Sequence, residues 1–84
     1  MRMIQKLKLF EQMVVYMHWA GNAQFGKINY VGDDFIEFTV LNPDTMEYGD
    51  KILINSQLVL EVMVSGSDIS RLIAELSANV DINN

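Results

Sequence analysis

Several residue types that often supply chemistry or covalent stability are missing or scarce in this sequence. None of the 84 residues is cysteine, which excludes disulfides and thiolate metal sites. There is a single histidine, so a transition-metal centre within one subunit is not expected. The acidic clusters of Asp33 and Asp34, and of Asp44, Glu47 and Asp50, match no calcium-loop spacing and are interpreted as solvated turn carboxylates. We therefore expect neither a metal nor another cofactor.

The motifs of common enzymes are also missing. The sequence has no phosphate-binding loop, dinucleotide-binding glycine pattern, zinc-protease motif or nucleophile elbow. Its serines fall mainly in predicted turns and in a predicted helix, with no matching base and acid. We predict that the protein is not an enzyme.

Long apolar runs are lacking. The longest wholly apolar run, residues 13–17, is far too short to span a membrane. No apolar run of the required length follows the basic residues near the start, so no signal peptide is expected. We expect a cytoplasmic protein that does not associate with membranes.

Positive charge is scarce and unevenly placed. Six basic residues face eleven acidic ones, for a net charge of −5. Residues 1–27 carry four basic residues and one acidic residue, whereas residues 28–84 carry two basic and ten acidic. The acidic total argues against indiscriminate nucleic-acid binding, which depends on positive charge. It still permits a local basic surface near the N-terminus.

The small size of the chain limits its core and suggests self-association. A single domain of this length buries only roughly 60–65% of the surface of the unfolded chain. Half of the residues are nevertheless hydrophobic, and residues 58–64 are apolar on both faces of a predicted strand. A long apolar edge strand tends to pair with another chain. We therefore predict strand-mediated homo-oligomerisation, with a dense core as the alternative.

The alternation of apolar and polar residues predicts five short strands separated by tight turns. In residues 35–41, Ile36, Phe38 and Val40 share the face that is predicted to lie in the core. Phe35, Glu37 and Thr39 share the opposite face. Gly26 lies inside the second strand and indicates a bulge or sharp bend. The predicted strands span residues 13–19, 24–31, 35–41, 46–54 and 58–64.

Two helices flank these strands in the prediction. Residues 67–78 show an apolar stripe at helical spacing after a capping serine. Residues 1–12 fit a helix, a strand or a disordered basic arm, with the helix favoured. The expected fold is mainly all-β: one domain over residues 1–84, a small and strongly bent five-stranded barrel over residues 13–64, and a short C-terminal helix.

Residues 13–64 resemble the Sm and Sm-like family of small ring-forming barrels. Gly26 stands at the bending glycine of the family's second strand, and residues 33–40 follow its acidic turn and alternating strand. Residues 54–56 stand where the family usually has Ile-Arg-Gly. The resemblance implies a five-stranded barrel of the SH3 type, in which the fourth strand of one subunit pairs with the fifth strand of its neighbour. The predicted interface residues are Ile52, Ile54, Leu58, Val59, Leu60, Val62 and Met63.

The same resemblance implies a pocket for a base of single-stranded RNA. Carried over by position, the pocket residues are Phe35, Glu37 and Asn55, with Gln57 alongside. If residues 1–12 form a helix on one ring face, Arg2, Lys6 and Lys8 would repeat there as a basic RNA-binding face.

Two of these positions depart from the family. Glu37 replaces an amide that both donates and accepts hydrogen bonds, and an ionised carboxylate only accepts. Asn55 replaces an arginine and removes its positive charge. The first hypothesis is a homo-oligomeric ring that binds single-stranded RNA weakly or with an altered base preference. The second is a structural or protein-interaction ring without RNA binding, and the third is a monomeric or dimeric SH3-type barrel.

Overall fold

A computed structural model describes residues 3–64 and residue 74 of the chain. The predicted C-terminal helix, apart from Ala74, and the predicted basic residue Arg2 lie outside the described residues. Within the described part the chain forms one short α-helix, five strands and a 3-10 helix at residues Ser56–Leu58 between the last two strands. Their bounds are α1 Met3–Lys8, β1 Val14–Trp19, β2 Asn22–Val31, β3 Phe35–Asn42, β4 Glu47–Asn55 and β5 Val59–Met63. No helix of this part is both long and apolar enough to cross a bilayer.

All five strands belong to one antiparallel sheet with the order β4-β3-β2-β1-β5. Its two edges, β4 and β5, are consecutive in the chain and joined only by the three residues of the 3-10 helix. In a flat sheet these edges would lie roughly 19 Å apart, since adjacent strands are about 4.8 Å apart. Three residues of 3-10 helix rise only about 6 Å. The sheet is therefore strongly curled, and the prediction of a mainly β fold with five strands is confirmed.

The core fills the concave side of this curled sheet. Ile36 and Phe38 of β3 are fully buried, and Val40 packs against them, as their alternation predicts. The Phe38 ring meets the indole of Trp19 edge to face, with 5.8 Å between the ring centroids. A side chain at Gly26 would collide with this ring and would lie 2.5 Å from the carbonyl oxygen of Thr39. Glycine is thus required at position 26 because β2 and β3 approach closely there.

One strand face differs from its prediction. Strict alternation placed Leu58, Leu60, Val62 and Val64 on one face of the last strand. The structure instead buries Val59 in the core and leaves Leu60 exposed, while Val62 and Val64 pack against the core. The cause is a register shift, because Trp19 pairs with Val59 whereas His18 pairs with Glu61. The extra residue reverses the alternation at this point.

The N-terminal segment, left open by the sequence, forms helix α1. Leu7 is fully buried, and Ile4 and Phe10 pack on the core, so the helix covers one end of the curled sheet. The turn that follows is tied to β2. Gln12 adopts a left-handed backbone with φ of 69°, and its backbone N–H donates to the carbonyl of Ile28.

Glu11 completes this attachment, and its removal should be measurable as lost stability. Its Oε2 accepts a hydrogen bond of 2.7 Å from the partly buried backbone N–H of Val31. We expect Glu11→Ala to lower the free energy of unfolding by about 2 kcal/mol, because this N–H loses its acceptor. Glu11→Gln retains an acceptor oxygen and should cost less than half as much. Equal losses for the two variants in urea unfolding would contradict this role.

Candidate functional site

Six side chains form a continuous patch on the outer face of β2, β3 and β4. Phe35 and Glu37 point away from the core on β3, two residues apart. The strand register places Tyr30 and Leu53 on either side of Glu37, and Asn55 beside Phe35. We call this surface the Phe35 patch, and its members are Tyr30, Phe35, Glu37, Lys51, Leu53 and Asn55.

Two aromatic rings, together with Leu53, make up the apolar part of the patch. The rings of Tyr30 and Phe35 lie 5.6 Å apart between centroids at an angle of 43°. Tyr30 is 51% exposed and Phe35 is 37% exposed. Phe35 lies over Gly32, where a Cβ would come within 2.7 Å of its Cε1 atom. Gly32 also donates its backbone N–H to the carbonyl of Phe35 at 2.8 Å, so the turn holds this residue in place.

The charged part of the patch is an acid–base pair. The Lys51 ammonium lies 3.7 Å from Oε2 of the Glu37 carboxylate, and both side chains contact solvent. Exposed pairs of this kind add little stability. Their relevance is electrostatic, since the pair cancels the local charge of Glu37. Lys27 lies in the next row of the same face, across Thr39 from Lys51.

The loops at one end of the patch are joined by hydrogen bonds. The backbone N–H of Ser56 donates to the carbonyl of Asp34 at 3.0 Å, which fastens the β2–β3 turn to the end of β4. The side chain of Asn55 accepts from the backbone N–H of Gln57 at 2.9 Å. Asn55 is therefore engaged in capping the 3-10 helix, and its amide oxygen is partly used.

A cavity of about 230 Å³ lies on the other side of these loops, towards helix α1. Gln57 lines this cavity and also donates its backbone N–H to the side chain of Asn55, a member of the Phe35 patch. Phe35, Glu37 and Asn55 lie together on the sheet, and Gln57 faces α1. The lining residues are Met3, Ile4, Asp33, Ser56 and Gln57.

Two of the three residues of the predicted basic face are among the described residues. Lys6 and Lys8 are exposed in the last turn of α1, where positive charge also suits the helix dipole. Met3 and Ile4 of the same helix line the cavity, so the two lysines lie near its helical wall. Within the described residues, no three His, Cys, Asp or Glu side chains are grouped to hold a metal ion.

The predicted interface residues occupy three environments. Ile54 and Val59 are buried in the core of the same chain, while Ile52 and Val62 are half-buried against it. The side chains of these four residues serve the fold and are not available to a neighbouring subunit. The exposed members are Leu58, Leu60 and Met63.

Tyr30, Lys51 and Leu53 were missed as site residues. Their places beside Glu37 and Thr39 are set by the pairing between strands, which the alternation along a single strand does not give. The sequence feature that could have revealed this part of the patch is Leu53, an apolar residue between Ile52 and Ile54. It is 69% exposed on an edge strand.

Comparisons of the chain with protein-family models, with curated proteins and with solved structures found no match.

Proposed function

We propose that the protein is an Sm-like barrel that assembles into a homo-oligomeric ring and binds single-stranded RNA through the Phe35 patch. The observation that carries the proposal is the pair of exposed rings, Tyr30 and Phe35, next to the Glu37–Lys51 ion pair. The curled five-stranded sheet and the helix that precedes it support an Sm-like barrel. The proposed location is the cytoplasm.

The two edges of the sheet support the proposed assembly. Each of β4 and β5 pairs with one strand only among the described residues, so each offers backbone donors and acceptors on its other side. Exposed apolar side chains, Leu53 on β4 and Leu60 on β5, lie on these edges. Pairing β4 of one subunit with β5 of the next is a head-to-tail contact, and such contacts generate rings when the rotation closes.

The chemistry of the patch supports the proposed RNA binding. Exposed aromatic rings stack with bases, and each such stack is worth about 1–3 kcal/mol. Lys51 offsets the repulsion between Glu37 and phosphates, and Lys27 adds positive charge on the same face. The chain as a whole is acidic, so the affinity should be modest and should decrease with added salt.

A structural or protein-interaction ring without RNA binding is the second candidate. It is favoured by Glu37 and Asn55, which lack the amide and the guanidinium of the resembled pocket. Asn55 is also occupied by its bond to the backbone of Gln57. In that case the exposed apolar residues would meet protein partners.

Fluorescence anisotropy with short labelled oligo-U, oligo-A, oligo-C and mixed RNA tests the proposal. We expect saturable binding that persists at near-physiological salt and differs between bases. Absence of binding at low salt would reject the RNA function and favour the second candidate.

Charge on the sheet edges should prevent assembly. We expect the double variant Leu53→Lys and Leu60→Lys to be smaller than the wild-type oligomer by light scattering, because lysine on an edge strand opposes strand pairing. Leu9→Lys is the matched control, since Leu9 is also 69% exposed but follows helix α1 and lies outside the sheet. Identical masses for the double variant and the wild type would contradict the edge-pairing arrangement, as would a monomeric wild type at micromolar concentration.

A further inference from the structure

The Glu37–Lys51 pair lies where a base stacked on Phe35 would present its edge. Phe35 and Glu37 share a face two residues apart, which is roughly 7 Å along a strand. Among the described residues, the Lys51 ammonium is the one group that pairs with the Glu37 carboxylate. Both side chains contact solvent, so both keep free hydrogen-bonding positions for a ligand.

Each group of the pair has a defined hydrogen-bonding character. The carboxylate of Glu37 has two oxygens and only accepts, whereas the ammonium of Lys51 only donates. Side by side, they present two acceptor oxygens and one donor group, the ammonium, to a flat ligand. A base that complements this arrangement needs two adjacent donors and one acceptor on one edge.

We propose that the Phe35 patch selects guanine in single-stranded RNA, an inference that rests on the proposed RNA-binding function. The Watson–Crick edge of guanine carries N1–H and the N2 amino group as adjacent donors, followed by the O6 acceptor. Glu37 accepts from both donors and Lys51 donates to O6. Unstacked bases in single strands are read on this edge.

The other bases fit the pair less well. Uracil has one N3–H between two carbonyl oxygens, so the second carboxylate oxygen would face an acceptor. Cytosine and adenine each place a ring-nitrogen acceptor next to their amino group. Each of these bases would leave the carboxylate opposite an acceptor, and an unmatched polar contact is costly.

The test uses labelled seven-residue uridine RNA with one central position varied, measured by fluorescence anisotropy at low salt. We expect guanosine at this position to bind about tenfold more tightly than inosine, which lacks only the N2 amino group, and than uridine. Glu37→Gln should abolish this preference and favour uridine, because an amide offers one donor and one acceptor. Glu61→Gln removes the same charge from exposed β5 and should leave the preference unchanged.

The outcomes separate the two proposals. Equal affinity for guanosine and inosine, or a preference that survives Glu37→Gln, would overturn guanine selection while leaving RNA binding in place. No binding to any of the RNAs would overturn the RNA function, and guanine selection with it.

Discussion

Replacing Gly26 with alanine is expected to lower the free energy of unfolding by about 3 kcal/mol, a larger loss than the one expected for Glu11→Ala. The added methyl group would collide with the Phe38 ring and lie 2.5 Å from the carbonyl oxygen of Thr39. A flexible side chain could turn away from it, but Phe38 is fully buried against Trp19 and the carbonyl belongs to the strand backbone. Urea unfolding at a fixed protein concentration measures the loss, since the proposed assembly would make stability concentration-dependent.

Gly49→Ala is the matched control for this substitution. Gly49 also lies within a strand, but the nearest atom to an added Cβ is the carbonyl oxygen of Val40 at 3.9 Å, an ordinary contact distance. We expect a change of less than about 1 kcal/mol, because alanine is also less costly than glycine in conformational entropy. Comparable losses at positions 26 and 49 would show that close packing of β2 on β3 is not what requires the glycine.

Phe35→Ala is expected to reduce RNA affinity by about tenfold or more, the largest single effect on binding. The substitution removes one stacking surface worth about 1–3 kcal/mol. It also removes the ring that Tyr30 contacts, whose centroid lies 5.6 Å from that of Tyr30. Because Phe35 is partly exposed, stability should change much less than for a core phenylalanine.

Tyr48→Ala controls for the loss of an exposed aromatic residue. Tyr48 lies on β4 opposite Leu41, seven residues from the strand end that faces Phe35. Its removal should leave the affinity for RNA unchanged in the same anisotropy assay. If both variants weaken binding equally, the RNA does not bind specifically at the Phe35 patch.

The fold followed from the sequence wherever the alternation of apolar residues was regular. In β3, Ile36, Phe38 and Val40 face the core as predicted, because apolar residues recur at every second position of residues 36–40 without interruption. Gly26 was predicted to mark a bulge or sharp bend, whereas the strand register is regular there and glycine is required because β2 and β3 approach closely. One local failure, Leu60, lies where a register shift against β1 reverses the alternation.

The site was predicted less completely than the fold. Phe35 and Glu37 were identified because they share a face of one strand, which is a local property. Their neighbours Tyr30 and Lys51 depend on the register between strands, which long-range pairing sets and bulges alter. The position of Gln57 beside the cavity depends on how helix α1 lies against the turn at residues Ser56–Leu58, which is a long-range contact that no local pattern predicts.

Native mass spectrometry of the protein with and without a guanosine-containing seven-residue RNA tests the central claim most directly, because it reports subunit number and RNA binding together. We predict one closed oligomer of five, six or seven subunits that gains the mass of bound RNA. A monomer with no bound RNA would contradict both the ring and its RNA function.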